Sequence, residues 1–424
     1  MERLKGFRDI YPEDAEERKL IFSTAEKCSE AFGFKKIEFP SLELLDLYRI
    51  KSGSDLLNQT FSFVDKGGRE VTLTPEATPS VVRMLVSRKD IRMPAKWYSF
   101  QRYWRYEDPQ SGRQREFYQY NADIFGTESP ESDAEIIGLA CFILDSLGLA
   151  GKYRMQVNDR ILMESILSNY GLNDPMSAFP VVDKIKKIPP DEALDSLVSL
   201  GISREKVEDL YSILGETYSL ENGSFPKLLE SIPVFKERYA RIKSTMNLLH
   251  FYTSSPVVLD LSVVRGLGYY TGIVFEAFDT GGTYRSILGG GRYDGLATLM
   301  SGRRIPAVGF GMGDVILEIL MKENSLAKNH LQQGITVCYT SHSIYTYAID
   351  VTMKLRSMGF RTDIIISEKS LSAQLKQASF DSSHAIILGE NELNDKAITV
   401  RNLHSGEQRT IKVSEIEKLR SILV

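Results

Sequence analysis

The sequence predicts an α+β fold: an antiparallel sheet flanked by helices, interrupted by a helical insertion and followed by a C-terminal α/β domain. Three observations lead there. Two aromatic, strand-forming runs, 97–106 and 117–125, are separated by the polar stretch Asp108-Pro-Gln-Ser-Gly-Arg-Gln, the pattern of two antiparallel strands joined by a long loop. Residues 172 to about 250 change to Lys/Glu-rich, Leu-spaced segments with little strand signal. The last stretch, about 90 residues, alternates strand-like and helix-like segments.

Taken in order, residues 13–33 carry Ala15, Leu20, Ile21, Ala25, Cys28 and Phe32 at helical spacing, with Gly33 where a helix commonly stops. Lys35-Lys-Ile-Glu-Phe then alternates as a short strand closed by Pro40, which cannot donate a ladder hydrogen bond. Residues 60 to 125 read as mainly β. A helix is expected over 131–148 and a strand over 153–158; strand and glycine patterns resume from 257 to 313. A polar connection, Asn324–Gly334, precedes strand 335–339, helix 344–358 and strands around 364–366 and 385–389. The resulting division is 1–171, an insertion at 172–250, a return at 251–325 and a last domain at 331–424.

With 424 residues, of which 42% are hydrophobic, the chain can bury a substantial core. Its apolar stretches fall far short of the ~20 residues a membrane span needs. The start, Met1-Glu-Arg-Leu-Lys-Gly-Phe-Arg-Asp, has no secretion signal or transit character, so a cytoplasmic location is expected. Cys28, Cys141 and Cys338 lie far apart and predict buried thiols rather than disulfides or a zinc site. A net charge of −4 argues against indiscriminate nucleic-acid binding, yet a local basic surface fits within it.

On the second aromatic strand Gln119, Asn121 and Asp123 share one face, and Tyr118, Tyr120 and Ala122 the other. A polar stripe by itself is most simply a solvated sheet face. The loop before it changes that reading: Arg105, Arg113 and Arg115, with Glu107, put three rigid guanidinium forks near one hairpin, suited to phosphate or carboxylate. Gly289-Gly-Gly-Arg-Tyr-Asp-Gly permits unusual backbone angles or close ligand approach, but neither it nor Arg265-Gly-Leu-Gly-Tyr-Tyr-Thr-Gly matches a phosphate loop or dinucleotide fingerprint. The five histidines are scattered and suggest no metal or Ser-His-Asp constellation.

Arg105-Tyr-Glu, the arginine loop and Phe117-Tyr-Gln-Tyr-Asn-Ala-Asp-Ile-Phe-Gly resemble motif 2 of the class II aminoacyl-tRNA synthetases in the form of the histidine-specific family. Arg265-Gly-Leu-Gly-Tyr-Tyr-Thr-Gly-Ile-Val-Phe-Glu and Gly289-Gly-Gly-Arg-Tyr-Asp-Gly-Leu are similar to that family's two signatures. Thr74-Pro-Glu-Ala-Thr resembles its amino-acid-binding turn, Lys5-Gly-Phe-Arg-Asp its opening, and motif 1 ends at Pro40, so the likeness spans essentially the whole chain. It implies a seven-stranded-type antiparallel class II catalytic sheet, a homodimer built on motif 1, and an anticodon-binding domain at about 331–424.

The resemblance also implies roles. Glu76 and Thr78 would hold the α-amino group of L-histidine, Gln119 and Arg265 its carboxylate, and Asp123 and Tyr270, beside Tyr269, the imidazole. Arg105 would bind the α-phosphate of ATP, and Arg265 would also stabilise the transition state as pyrophosphate leaves; these two are the catalytic candidates. Glu107 and Arg113 join the ATP site, Mg2+ accompanies ATP, no zinc is expected, and Gln110 and Arg115 face the acceptor end of the tRNA for histidine.

Three positions depart from the family pattern. Ile316 stands where motif 3 carries an ATP-contacting arginine, leaving Arg113, Arg303 and Arg304 as candidate substitutes. Asp123 replaces a glutamate one methylene longer, a gap that a water could fill, and Gly268 replaces an aspartate. Two rivals stay open: a non-catalytic, histidine-binding regulatory subunit of an ATP phosphoribosyltransferase, and a class II ligase for proline, threonine or glycine. The C-terminal segments Ala385-Ile-Ile-Leu-Gly and Thr399-Val-Arg-Asn speak against the first, and Tyr269, Tyr270, Gln119 and Asp123 against the second.

Overall fold

The computed structural model describes residues 2–50, 54–110, 112–219, 227–266, 268–326, 334–367 and 369–422. The chain divides into two compact units, Met1–Glu323 and Asn324–Val424. Most of the expected connection at 324–334, namely 327–333, lies outside the described residues.

In the first unit the strands are β1 (Lys35–Lys36), β2 (Leu42–Leu44), β3 (Ser62–Val64), β4 (Glu70–Leu73), β5 (Ala95–Trp104), β6 (Glu116–Phe125), β7 (Tyr153–Asp159), β8 (Val257–Leu259), β9 (Ile273–Asp279), β10 (Leu288–Arg292) and β11 (Ala307–Gly313). Eight of them form one sheet in the order β1-β5-β6-β11-β10-β9-β7-β8. Its centre is antiparallel, but β1 joins β5 and β8 joins β7 in parallel, so the sheet has more strands than the seven expected and parallel edges. β2, β4 and β3 make a small separate antiparallel sheet.

The helix Pro12–Ala31 starts as its sequence prescribes, with Pro12 in the first turn beside Glu13 and Asp14, whose charges suit a helix N-terminus. Ile21, Ala25 and Cys28 form its buried stripe. The strand expected to run to Phe39 is only Lys35–Lys36. The reading of 60–125 as mainly β missed the helix Thr78–Ser87, because Val81 and Val82 count as strand formers. Pro79 opens that helix, and Val81, Val82 and Leu85 bury one side of it in a common core with Tyr269, Tyr270 and Tyr293, so packing overrides local preference.

The predicted hairpin is present: β5 and β6 pair from Ala95 opposite Phe125 to Trp104 opposite Glu116. Its aromatic face packs Tyr98 on Tyr120 and Phe100 on Tyr118, with Phe22 of the first helix against both of the latter rings. Between β7 and β8 the described residues are mainly helical, including Arg160–Asn169, Pro190–Ser199, Arg204–Gly215 and Phe235–Leu249 around Leu162, Ile166, Leu210 and Ile242. Three ion pairs tie this segment to the sheet and its flanking helix: Arg238–Asp159 at 2.5 Å, Arg241–Asp133 at 2.6 Å and Lys186–Asp260 at 2.7 Å, the carboxylates fully buried.

The second unit holds β12 (Ile335–Tyr339), β13 (Thr362–Ile364), β14 (His384–Leu388), β15 (Ala397–Asn402) and β16 (Gln408–Lys412), ordered β13-β12-β14-β15-β16. β12 is parallel to β13 and β14, as the connecting helices Tyr345–Ser357 and Leu371–Asp381 require, and β15 and β16 close the sheet antiparallel. The three cysteines are buried free thiols. Among the described residues no helix is long and apolar enough to cross a membrane.

Candidate active site

The polar face of β6 is not solvated. Asn121 and Asp123 are buried, Gln119 is half-buried, and all three line one pocket with Glu76, Thr78, Arg105, Arg265, Tyr269, Tyr270 and Tyr293. Every residue assigned above to the amino acid is therefore in this wall, and so is Arg105. Asn121 and Tyr293 were not assigned a role. Asn121 was legible as a member of the stripe; Tyr293 reaches Asp123 from 170 residues away and could only have been suspected from its place in the glycine-rich signature.

Strand glycines make room for these side chains. A Cβ on Gly289 would lie 2.6 Å from Cζ of Arg265, and one on Gly311 2.6 Å from Nε2 of Gln119; a Cβ on Gly309 would overlap the Asp123 carboxylate. β10 and β11 thus lie bare where β6 and the Arg265 segment project across them, which explains a glycine run in a central strand that propensity alone disfavours.

Arg265 itself has left-handed backbone, φ +57°, which costs a non-glycine residue energy and occurs at functional sites. Its guanidinium is paired with Glu276 of β9, in register with Gly289. Burial acts to lower its pKa, but the Glu276 charge and Tyr270 outweigh it and raise it above the ordinary arginine range. Its Nε is buried with no hydrogen-bond partner, an unmet donor in the pocket wall.

Asp123 accepts a hydrogen bond from the Tyr293 hydroxyl at 2.5 Å, so one oxygen of the shortened carboxylate is met by a protein hydroxyl. Burial pushes its carboxyl up from 3.8 to about 7, with the Tyr293 bond opposing the rise. Tyr269 donates to Glu76 Oε2 at 2.8 Å and approaches Thr78 Oγ1 at 3.4 Å. Arg105 is aimed by a bond from its Nε to the Pro75 carbonyl at 2.9 Å and by the Phe117 ring beneath it.

Glu107, Gln110, Arg113 and Arg115 do not line the pocket; they form the hairpin loop beside it. Glu107 forms an ion pair with Arg113 at 2.5 Å, and Gln110 and Arg113 exchange backbone hydrogen bonds. Arg115 stacks on Tyr106 at 3.9 Å, donates to the Glu107 carbonyl and takes up the Gly6 carbonyl through its backbone, so it braces the loop against the N-terminal segment. Arg292 of the glycine-rich signature is fully buried in a structural network with Asp133, Ser132, Asp294 and the Thr127 carbonyl. Among the described residues no group of three or more His, Cys, Asp or Glu could hold a metal ion.

A polar pocket on an antiparallel sheet, walled in part by Arg105 and Arg265 and with a helical segment between the halves of the sheet, is the arrangement expected of an aminoacyl-tRNA synthetase of the class II type. The family model described as histidyl-tRNA synthetase matches residues 6–313, and one described as anticodon binding domain matches 333–420. A histidine–tRNA ligase of Thermoplasma volcanium is 50% identical over 98% of this chain and 97% of its own length, and one of Picrophilus torridus 46% identical over 98% of each. A histidyl-tRNA synthetase structure from Nostoc sp. PCC 7120 superposes with a TM-score of 0.85 over 99% of both chains at 18% identity. A Bacillus halodurans structure titled as an ATP phosphoribosyltransferase regulatory subunit/histidyl-tRNA synthetase reaches 0.74 over 92% of this chain, so the fold alone does not separate those two activities. The chain belongs to the histidyl-tRNA synthetase family.

Proposed function

We propose that this protein activates L-histidine with ATP, forming histidyl-adenylate and pyrophosphate, and then passes histidine to the 3′ end of its tRNA. The observation that carries the proposal is the convergence of Glu76, Thr78, Gln119, Asp123, Arg265 and Tyr270 in one pocket of a chain half identical, along its length, to a histidine–tRNA ligase.

In this reading Glu76 and Thr78, oriented by Tyr269, take the α-ammonium, and Gln119 and Arg265 take the carboxylate. Asp123 and Tyr270 read the imidazole, and polar readout rejects similar-sized apolar side chains more strongly than shape does. The histidine carboxylate attacks the α-phosphorus and the bond to pyrophosphate breaks. Arg105 and Arg265 face the charge that develops there, and their positions are set before reaction by Pro75, Phe117 and Glu276. Mg2+ bound with ATP would neutralise phosphate charge, and it commonly takes only one or two carboxylates from the protein. Glu107 and Glu276, beside Arg113 and Arg265, are the carboxylates that fit that need.

Gln110 and Arg115, on the loop, are assigned to the acceptor end of the tRNA, and the unit built on β12–β16 to its anticodon. Domain limits of 1–171, 172–250, 251–325 and 331–424 and a cytoplasmic location belong to the same proposal. So does a homodimer, favoured by the exposed Leu44, Phe63 and Val64 on the small three-stranded sheet. Histidine-dependent ATP–pyrophosphate exchange followed by charging of purified tRNA tests the function. Tight histidine binding with neither activity would refute it in favour of a regulatory subunit.

A further inference from the structure

Ile316, in the helix Asp314–Glu323, is buried with its side chain against Gly112 of the hairpin loop. No cation can project from that position. Arg303 and Arg304 do not compensate: they precede β11, whose first residue, Ala307, pairs with Phe125, whereas Gly313 at its other end pairs with Gln119 beside the loop. At ~3.3 Å per residue the length of the strand separates them from Ile316. Arg304 is in addition engaged with Glu128 at 2.5 Å.

Arg285 lies at the right end. It precedes Leu288, which pairs with Met312, so the chain at Arg285 runs past Gly313 and the start of the Ile316 helix. Its neighbours are fixed: Tyr284 N donates to Asp279 at 3.0 Å, the Tyr284 hydroxyl bonds Glu323, Ser286 Oγ donates to the Leu288 carbonyl at 2.6 Å and Ile287 N to Ala277 at 2.7 Å. The Arg285 side chain is exposed and has no ion pair or hydrogen bond among the described residues. Elsewhere at this end Arg113 is held by Glu107, Arg265 by Glu276, and Arg8 and Arg18 by Asp314 and Glu318. Arg285 and Arg105 each lie within electrostatic range of the Arg113 guanidinium.

We propose that Arg285, with Arg113, seats the β- and γ-phosphates of ATP, supplying from the β9–β10 turn the charge that the Ile316 helix lacks. This deepens the functional reading above and rests on it. A fixed backbone limits what must be ordered to the side chain, and an uncommitted guanidinium has no protein partner to give up when phosphate arrives.

The test is calorimetric binding of magnesium–ATP and of AMP, without tRNA, to the unaltered chain, R285A and R285K. R285A is expected to weaken ATP about tenfold or more while AMP changes less than about twofold, the loss of one charged phosphate contact. R285K should recover part of that loss, because it keeps the charge but not the planar fork. Unchanged ATP binding in R285A, equal losses for ATP and AMP, or an effect confined to tRNA charging would each overturn the assignment of Arg285 and leave the function standing. An unaltered chain that binds neither nucleotide would overturn the function and this role with it.

Discussion

The Tyr293 hydroxyl and the Asp123 carboxylate meet at 2.5 Å across 170 residues of sequence, both groups buried. This bond opposes the desolvation that raises Asp123 to about 7. An acid whose folded pKa lies above its unfolded value of 3.8 favours the folded state fully below pH ~4, and that contribution is lost as pH rises to about 7. The span is on the order of 4 kcal/mol. Asp123→Asn should therefore gain stability relative to the unaltered protein between pH 4 and 7 in urea titrations, and Tyr293→Phe should move the upper end of that window higher. Parallel pH profiles would refute the coupling.

Gly289→Ala and Gly311→Ala are expected to harm the site by displacing Arg265 and Gln119 respectively. Overpacking of this kind costs about 1–3 kcal/mol, and a displaced contact group costs rate besides. Gly311→Ala should raise the KM for histidine, and Gly289→Ala should lower the exchange kcat as well. Steady-state exchange assays decide it; normal kinetics in both variants would show that the strands yield instead.

Arg265→Ala leaves the buried carboxylate of Glu276 without its cation. Breaking one side of a buried pair costs about 3 kcal/mol or more. Arg265→Ala/Glu276→Gln is expected to recover much of that stability in thermal melts, yet neither variant should support pyrophosphate exchange. Recovery of exchange together with stability would reduce Arg265 to a structural role.

Arg292 makes the opposite prediction. Its guanidinium is committed to Asp133, Ser132, Asp294 and Thr127, and it is not among the residues that line the pocket. Arg292→Lys should lower stability by about 3 kcal/mol, since an ammonium cannot replace a planar fork. A variant with an unchanged melting temperature and abolished exchange would count against this.

The sequence carried the polar stripe of β6 and the aromatic stripe behind it, because strand alternation is a local property visible in consecutive residues. It carried the vacancy at Ile316 because the departure falls inside a recognisable motif. It did not carry Arg285, which lies outside any motif and gains meaning only from the register of β10 with β11. Nor did it reveal why Gly289, Gly309 and Gly311 are bare: the side chains that need the space come from other segments. The helix Thr78–Ser87 was hidden for a related reason, its valines being chosen by burial.

The bare strands have a consequence for the protein without substrate. Where the glycines of β10 and β11 offer no side chains, Arg265, Gln119 and Asp123 fill the space, so the pocket floor is made of polar groups anchored on other segments that substrate would tie together. Resistance to heat should climb with histidine concentration, as it does for any ligand held only by the folded chain. An organism short of histidine would hold this protein in its most fragile form.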